Sequence, residues 1–346
     1  MNIWTQDYEQ LIFLQDRSIG FKAIIAVHHT KLGPALGGCR MMDYGNEEEA
    51  VLDALRLARG MTYKSALAGI PYGGGKAVIV GRPGTAVNRE AWFRSLGKQL
   101  HKLNGLYITG LDLGSTVQDM DGVREETAYV TDTTGSLGAD NELTATMTAY
   151  GVFLGIRASL KRAYGSESLR NKVIAVQGLG KVGFKLCRYL QEADAKLIVA
   201  DIDAARVRLA AASFGALASS PEAIAAVPCD VFAPCALGGV LHEGAIAALD
   251  CAIVAGAANN QLATPEDGER IHGRGILYAP DYAINAGGII VTAAELEGAD
   301  AAKAKSDTER IYGSLERIFA EASLRGLSTA AAADQITEEL LGKQLF

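Results

Sequence analysis

Two lysines and one aspartate stand in sequence surroundings that could support proton chemistry. Lys76 follows three consecutive glycines in "YGGGK", Lys64 closes the earlier stretch "MTYK", and Asp112 follows the strand-like stretch "YITGL". Two close ammonium groups make each other easier to deprotonate, so one could act as a general base while the other stays charged and binds a carboxylate. An aspartate beside them could exchange protons with an amine.

The glycines before Lys76 resemble a phosphate-binding P-loop, but the spacing excludes one. That motif needs a glycine at position 70 and a hydroxyl at position 77, where this chain has Ile70 and Ala77. We therefore expect glycines 73 to 75 to bring bare backbone close to a bound substrate and its redox partner, because a glycine has no Cβ atom.

A second glycine motif predicts a dinucleotide site. The strand-like run 173–176 leads into "GLGKVG", a helical pattern follows, and the next strand, "KLIVADID", ends in two aspartates. This order of elements is the dinucleotide fingerprint, in which the carboxylate binds the adenosine ribose and repels a 2′-phosphate. NAD is therefore expected rather than NADP, unless Arg206 or Arg208 reverses the local charge. The expected cofactor-binding residues are Gly178, Gly180, Lys181, Val182, Gly183, Asp201 and Asp203.

Composition limits the possible partners. The 346 residues are 49% hydrophobic and 21% charged, and the net charge of -7 argues against a nucleic-acid surface. No apolar run is long enough for a membrane span, and the N-terminus lacks the basic region of a signal peptide. The five cysteines include no C-x-x-C pair, which suits reduced thiols in a cytoplasmic protein. We expect small-molecule partners, no nucleic acid, no membrane and no metal.

Hydrophobic patterning predicts an α/β protein with two domains. Strands are expected at 22–29 and 73–80, with a helix capped by Asn46 between them. Further strands are expected in "CDVFAPCAL", "CAIVAGAANN" and "GILYAPDYAINAGG". We expect an N-terminal α/β substrate domain over residues 1–135 and a C-terminal Rossmann-type dinucleotide-binding domain over 136–324, with an inter-domain catalytic cleft. A C-terminal helix over 325–346 is expected to pack back on the first domain.

Blocks along most of the chain carry a family resemblance. "LGPALGGCR", "MTYKSALAG", "GGGKAVIVG", "YITGLDLGSTVQDMD", "VQGLGKVG", "APCALGG" and "AGAANNQL" occur in this order. They resemble the leucine, phenylalanine, valine and tryptophan dehydrogenase branch of the glutamate dehydrogenase superfamily. The resemblance implies reversible, NAD-dependent oxidative deamination of an apolar, branched-chain or aromatic L-amino acid to its 2-oxo acid and ammonia, by a homo-oligomer of two to eight chains.

The resemblance also assigns roles to single residues. Lys64 would bind the substrate α-carboxylate, Lys76 would be the base that activates water, and Asp112 would shuttle protons to and from the amine. Leu36 stands where glutamate dehydrogenases have a lysine, so glutamate should be a poor substrate. The other implied substrate contacts are Gly37, Gly110, Asn260, Ile289 and Thr292, and the other implied cofactor contacts are Ala236, Asn260 and Asn285.

Some positions depart from the family pattern, and two other functions stay open. Segment 140–147 is atypical, and Gly110 with Thr292 implies a wider substrate pocket with one hydroxyl. One alternative is an NAD-dependent 2-hydroxy-acid dehydrogenase, which would need a His/Arg pair. His28 and His29 are adjacent and so point to opposite faces of a strand. The other alternative is a non-catalytic binding protein on the same fold, which would have lost a lysine or the aspartate.

Overall fold

The computed structural model describes residues 7–139 and 142–342, without the side chains of residues 86 and 87. The described chain forms two compact units. One unit extends to Leu143 and also includes Val291–Ala301, whereas the other contains Thr144–Ile290 and the chain from Ala302 onward. The sequence did not indicate that a segment near residue 295 belongs to the first unit.

The first unit contains a mixed five-stranded sheet. Its strands are β1 (Gln10–Asp16), β2 (Phe21–His29), β3 (Ala35–Met42), β4 (Gly73–Val80) and β5 (Tyr107–Leu111), in the order β1-β2-β4-β3-β5. Strand β2 is antiparallel to β1 and β4, whereas β3 is parallel to β4 and β5. The strands predicted at 22–29 and 73–80 are confirmed.

Helices cover both faces of this sheet. They are α1 (Glu47–Ala68), α2 (Ala86–Lys102) and α3 (Val117–Arg124). The Asn46 side chain accepts the Glu49 N–H and caps α1, as predicted. Val78 of β4 packs in the α1 cluster, whereas Ala77 packs in the cluster on the opposite face. Because side chains alternate along a strand, Lys76 lies on the α1 face.

The second unit contains a six-stranded sheet in which every neighbouring pair is parallel. Its strands are β6 (Val173–Gln177), β7 (Lys196–Ala200), β8 (Leu217–Ala218), β9 (Cys229–Pro234), β10 (Cys251–Val254) and β11 (Leu277–Tyr278), in the order β11-β10-β9-β6-β7-β8. The strand order reverses beside β6, the strand that leads into the glycine-rich turn. This doubly wound order confirms the Rossmann-type prediction.

The helices of the second unit pack around this sheet, and α10 continues into the first unit. They are α4 (Leu143–Tyr164), α5 (Lys181–Glu192), α6 (Ala204–Phe214), α7 (Glu243–Ala248), α8 (Glu266–Gly273), α9 (Asp281–Ile284), α10 (Gly287–Leu296), α11 (Ala301–Thr308), α12 (Arg310–Arg325) and α13 (Thr329–Leu340). In the described part of the chain, none of the helices has the length and hydropathy needed to cross a membrane.

The C-terminal helix belongs to the second unit. Helix α13 packs against α8, α12 and β11 of that unit. The Thr329 hydroxyl donates to the Tyr278 carbonyl at 2.6 Å, and Ala332, Ala333 and Ile336 are buried. Burial of this apolar stripe fixes the helix to the second unit. Residues 343–346 of the expected helix lie outside the described residues.

Candidate active site

Two of the predicted catalytic residues form an ion pair in the first unit. Lys76 lies in the middle of β4, and Asp112 directly follows β5. The Lys76 Nζ atom is 2.9 Å from Asp112 Oδ2, and Lys76 is 4% exposed. A lysine so deeply buried needs a charged partner, because burial of an unpaired ammonium group is strongly unfavourable. The sheet therefore brings together the two groups that the sequence selected separately.

Arg40 shares the Asp112 carboxylate with Lys76, and the sequence analysis gave it no role. Its Nε atom donates to Asp112 Oδ2 at 2.9 Å, and its Nη1 atom donates to Asp53 Oδ2 at 3.0 Å. The Tyr44 hydroxyl also donates to Asp53 Oδ2, at 2.7 Å. An arginine within the apolar strand β3 was the available signal, because a half-buried guanidinium needs carboxylate partners.

Two cations determine the protonation state of Asp112. Burial disfavours its charged form, but the Lys76 ammonium and the Arg40 guanidinium outweigh burial and hold the pKa of Asp112 well below its usual range. The carboxylate is therefore ionised at neutral pH. An ionised carboxylate accepts hydrogen bonds and donates none, which suits it better to hold a substrate ammonium group than to supply a proton.

The three glycines of β4 make room for the protein itself. A Cβ atom on Gly73 would lie 1.9 Å from the His29 carbonyl oxygen, and one on Gly74 would lie 2.0 Å from the Thr62 backbone nitrogen. On Gly75 it would lie 2.7 Å from the Tyr107 ring. The expectation that these glycines admit the substrate is therefore wrong. The bare backbone of Gly74 lets α1 approach the sheet, and α1 carries the half-buried Lys64.

The predicted substrate contacts on β3 and β5 also have structural partners. Leu36 is 1% exposed, and the Tyr107 hydroxyl donates to the Gly37 carbonyl at 2.5 Å. A Cβ atom on Gly110 would lie 2.5 Å from Asp132 Oδ2. The space beside Gly110 is thus occupied by a carboxylate, which corrects the expectation that glycine at this position widens a substrate pocket.

Asp132 itself is held in an unusual position. Its backbone φ is 59°, in the left-handed region that aspartate tolerates better than most residues. Its N–H donates to Glu295 Oε1 at 3.0 Å, and Glu295 Oε2 accepts the Gly138 N–H at 2.8 Å. The Leu111 N–H donates to Asp132 Oδ2 at 2.9 Å. Burial first, and then the Glu295 charge, raise the pKa of Asp132 to about 6. The sequence analysis missed both acids.

The glycine-rich turn of the second unit fits a dinucleotide. Gly178 has φ 99°, its N–H donates to the Ala200 carbonyl at 2.7 Å, and its Cβ would lie 2.8 Å from Ala236. A Cβ on Gly183 would lie 2.0 Å from the Gly178 carbonyl oxygen. Gly180, at the start of α5, has no neighbouring atom within 4 Å of such a Cβ. Open space at a helix N-terminus suits a pyrophosphate.

The two acidic candidates after β7 differ in their contacts. Asp201 Oδ2 accepts the Leu179 N–H at 2.6 Å, and its Oδ1 accepts the Asp203 N–H at 2.8 Å. Asp201 is therefore fixed beside the glycine-rich turn, as the fingerprint requires. The Asp203 carboxylate instead accepts the Ala205 N–H at 2.8 Å and caps α6. Arg206 approaches both carboxylates, at 3.8 Å and 3.5 Å.

Asn285 offers a buried acceptor in the same unit. Its Nδ2 atom donates to the Ala257 carbonyl at 3.0 Å and to Asn259 Oδ1 at 2.8 Å. Among the described residues, its buried Oδ1 atom has no hydrogen-bond partner. Asn260 has φ 51°, and its N–H donates to Asp281 Oδ2 at 2.7 Å. The free amide oxygen of Asn285 fits the amino group of a carboxamide such as that of nicotinamide.

The remaining predicted residues lie on helices. Lys181 and Val182 form the first turn of α5, where Lys181 is exposed. Ile289 and Thr292 both lie on α10, but Ile289 belongs to the second unit and Thr292 to the first. Within the atypical segment 140–147, residues 140 and 141 lie outside the described residues, and α4 begins at Leu143.

Comparison with known proteins places both units in one family. Residues 10–129 match the model of the Glu/Leu/Phe/Val dehydrogenase dimerisation domain. Residues 138–208 and 200–339 match the Glutamate/Leucine/Phenylalanine/Valine dehydrogenase model. The chain belongs to this dehydrogenase family. The prediction of an amino-acid dehydrogenase is thereby confirmed, and membership of the family indicates a nicotinamide dinucleotide cofactor and a small-molecule substrate.

Relatives within the family differ in substrate. The chain is 52% identical to leucine dehydrogenase of Geobacillus stearothermophilus, over 97% of this chain and 91% of the relative. It is 43% identical to valine dehydrogenase of Streptomyces virginiae, over 96% and 93% of the two chains. The crystal structure of L-tryptophan dehydrogenase from Nostoc punctiforme superposes with a TM-score of 0.86 at 42% identity, over 98% of this chain and 97% of that one.

The described residues contain no group of three or more His, Cys, Asp or Glu side chains that could hold a metal ion. The ionisable groups of the first unit instead pair with one another, as Lys76, Arg40 and Asp112 do.

Proposed function

We propose that this chain catalyses the reversible, NAD-dependent oxidative deamination of an apolar, branched-chain or aromatic L-amino acid to its 2-oxo acid and ammonia. The observation that carries the proposal is the buried Lys76–Asp112 ion pair, 2.9 Å long, with Arg40 on the same carboxylate. The relatives named above support the reaction class, since they are dehydrogenases of leucine, valine and tryptophan.

Within this proposal each charged group has one task. Lys64 binds the α-carboxylate of the substrate. The ionised Asp112 accepts hydrogen bonds from the substrate ammonium group, which thereby competes with Lys76 for this carboxylate. A Lys76 side chain released from its ion pair can give up its proton to solvent, and the substrate ammonium group likewise loses one proton to solvent before hydride transfer. The free Lys76 amine then acts as the base that activates water for attack on the iminium carbon. Arg40 keeps Asp112 ionised throughout.

The second unit supplies the redox partner in this proposal. A nicotinamide dinucleotide bound there would supply the acceptor for the hydride that leaves the substrate Cα atom. The N–H groups at the start of α5 would hold its pyrophosphate, and the unpaired Asn285 Oδ1 would orient its carboxamide. NAD is favoured over NADP because Asp201, fixed by the Leu179 N–H, would repel a 2′-phosphate.

We further propose a cytoplasmic homo-oligomer, built through the first unit. The family model that matches residues 10–129 is described as a dimerisation domain. In the described part of the chain β1 is an edge strand, and Phe13 on it is 64% exposed. Exposed apolar groups on an edge strand suit an interface between copies. Sedimentation of the purified protein tests this, and a monomer at micromolar concentration would contradict it.

The reaction is tested by NADH formation with a panel of leucine, valine, phenylalanine, tryptophan, glutamate and a 2-hydroxy acid. We expect activity with at least one apolar amino acid and none with glutamate. In the reverse direction, NADH oxidation by the matching 2-oxo acid should require ammonium. A protein that oxidises the hydroxy acid but no amino acid would refute the proposed reaction.

A further inference from the structure

The carboxyl group of Asp132 lies on the face of the sheet that presents the catalytic pair. Side chains alternate along a strand, so Gly110 points to the same side as Asp112, two residues later. Asp132 Oδ2 lies 2.5 Å from the place that a Cβ atom on Gly110 would take. The Asp132 carboxylate thus occupies the space that a side chain at position 110 would need.

The same face becomes apolar further back along the strands. Leu36 of β3 lies opposite Ile108 of β5. On the same face, the next pair toward Asp112 is Gly38 opposite Gly110. Leu36 is 1% exposed and Ile108 is 8% exposed. A substrate whose ammonium group is held at Asp112 would therefore run its side chain past Gly110 and Asp132 toward apolar neighbours.

One oxygen of the Asp132 carboxylate is available to a ligand. Its Oδ2 atom accepts the Leu111 N–H at 2.9 Å and the Thr131 hydroxyl at 3.3 Å. Among the described residues, 7–139 and 142–342, no group donates a hydrogen bond to its Oδ1 atom. The residue is 6% exposed. A donor on a bound molecule can therefore reach this oxygen, and its hydrogen bond to a charged acceptor would be stronger than one between neutral groups.

We propose that Asp132 is a specificity-determining residue whose Oδ1 atom accepts a hydrogen bond from an N–H or O–H group on the substrate side chain. This inference rests on the proposed amino-acid dehydrogenase function. Two residues of strand separate Asp112 from Gly110, which is about 7 Å. A side-chain donor at this distance from the amino group, such as an indole N–H or a phenol O–H, reaches Asp132, whereas a donor on Cβ does not.

Electrostatics supports the choice of a donor. Burial and the neighbouring Glu295 raise the pKa of Asp132 to about 6, so the carboxylate is ionised at the alkaline pH of a deamination assay. An ionised carboxylate is an acceptor only, and its hydrogen bonds are about twice as strong as those between neutral groups. The same charge would repel an acidic substrate side chain, in agreement with the expected exclusion of glutamate.

The test compares substrates that differ in one donor. Tryptophan is paired with 3-(3-benzothienyl)alanine, in which sulfur replaces the indole N–H, and tyrosine is paired with phenylalanine. Threonine and valine form a control pair with the donor on Cβ. In at least one of the two long pairs, we expect wild-type kcat/KM to favour the donor by about tenfold or more. The threonine/valine ratio should be insensitive to Asp132.

Two variants then remove the acceptor. Asp132→Asn keeps an oxygen for Leu111 but turns the other carboxylate atom into a donor, and Asp132→Gly suits the φ of 59° if the asparagine variant does not fold. Either should reduce the donor preference to about one. Asp121→Asn is the matched control, because Asp121 accepts the Thr134 N–H and hydroxyl and so holds the same segment. It should keep the wild-type ratio.

The outcomes separate this inference from the function on which it rests. An enzyme that oxidises leucine but shows no donor preference in either long pair overturns the role of Asp132, whether both members react or neither does. A preference that survives both Asp132 variants, or that Asp121→Asn also abolishes, overturns it as well. If no amino acid on the panel is oxidised, the proposed function itself has failed.

Discussion

Replacement of Lys76 by methionine separates proton chemistry from substrate binding. Methionine has nearly the same length and no charge, so the change removes the ammonium group and leaves little empty volume. If Lys76 is the general base, kcat should fall by about 10²-fold or more, which corresponds to at least about 2.7 kcal/mol of transition-state stabilisation. The KM for the amino acid should change much less, because Lys64 and Asp112 remain to bind it.

The structure also indicates that this variant should fold. Breaking a buried ion pair costs about 3 to 5 kcal/mol when it leaves an uncompensated charge. Asp112 would keep the Arg40 Nε donor at 2.9 Å, so the loss of unfolding free energy should stay below that range. Thermal unfolding measured beside the kinetics shows whether a low kcat reflects chemistry or a partly unfolded sample.

Two further lysine variants serve as controls. Lys64→Met should mainly raise KM, since a carboxylate clamp acts in the ground and transition states alike. Lys172→Met breaks another lysine–aspartate pair of the same length, 2.9 Å to Asp230, in the second unit, and should leave both constants unchanged. Near-wild-type kcat for Lys76→Met at saturating amino acid would refute the base assignment, and an unchanged KM for Lys64→Met would refute the clamp.

Three other predictions follow from single contacts. Asp201→Ser should narrow the preference for NAD over NADP in kcat/KM, and equal use of both cofactors by the wild type would contradict the carboxylate argument. Gly74→Ala should lower the free energy of unfolding in urea by about 1 to 3 kcal/mol, because its Cβ would lie 2.0 Å from the α1 backbone. Gly60→Ala, in open space on the same helix, should be neutral or stabilising. Asp132→Asn should stabilise the protein at pH 8, by roughly 3 kcal/mol at most, and have little effect near pH 4. The reason is that folding raises the pKa of this carboxyl group, so the protein becomes less stable as pH rises through about 6 and the group must ionise in the folded state. Thermal unfolding of both proteins at the two pH values measures this. A stability difference between variant and wild type that is the same at pH 8 and pH 4 would count against it.

The sequence was informative where the controlling interactions are local. The Asn46 side chain accepts the N–H of Glu49, three positions later, and the glycine-rich turn with its strand and helix is one continuous segment. Such features follow from backbone rules that act within a few residues. Their prediction therefore needed no knowledge of the tertiary fold.

The parts that the sequence did not reveal depend on long-range contacts. Arg40 meets Asp112 across 72 positions, and the Asp132 N–H meets Glu295 across 163. A single sequence can indicate that a residue such as Arg40 needs a carboxylate partner, but it does not identify that partner. The glycines of β4 show the same limit. The sequence showed three glycines in a row, but only the folded chain shows that Gly73, Gly74 and Gly75 make room for β2, α1 and the Tyr107 ring, respectively.

Asp112 and Asp132 lie near the same end of β5, but their pKa values are shifted in opposite directions. Two cations hold the pKa of Asp112 far below its usual range, whereas burial and the charge of Glu295 raise that of Asp132 to about 6. Only the Leu111 peptide separates the two sites along β5. Between about pH 5 and 7, Asp112 therefore keeps its charge while Asp132 changes its own. A change in substrate discrimination within this window, at constant Asp112 charge, would arise at the side-chain end of the site, not at the amino group.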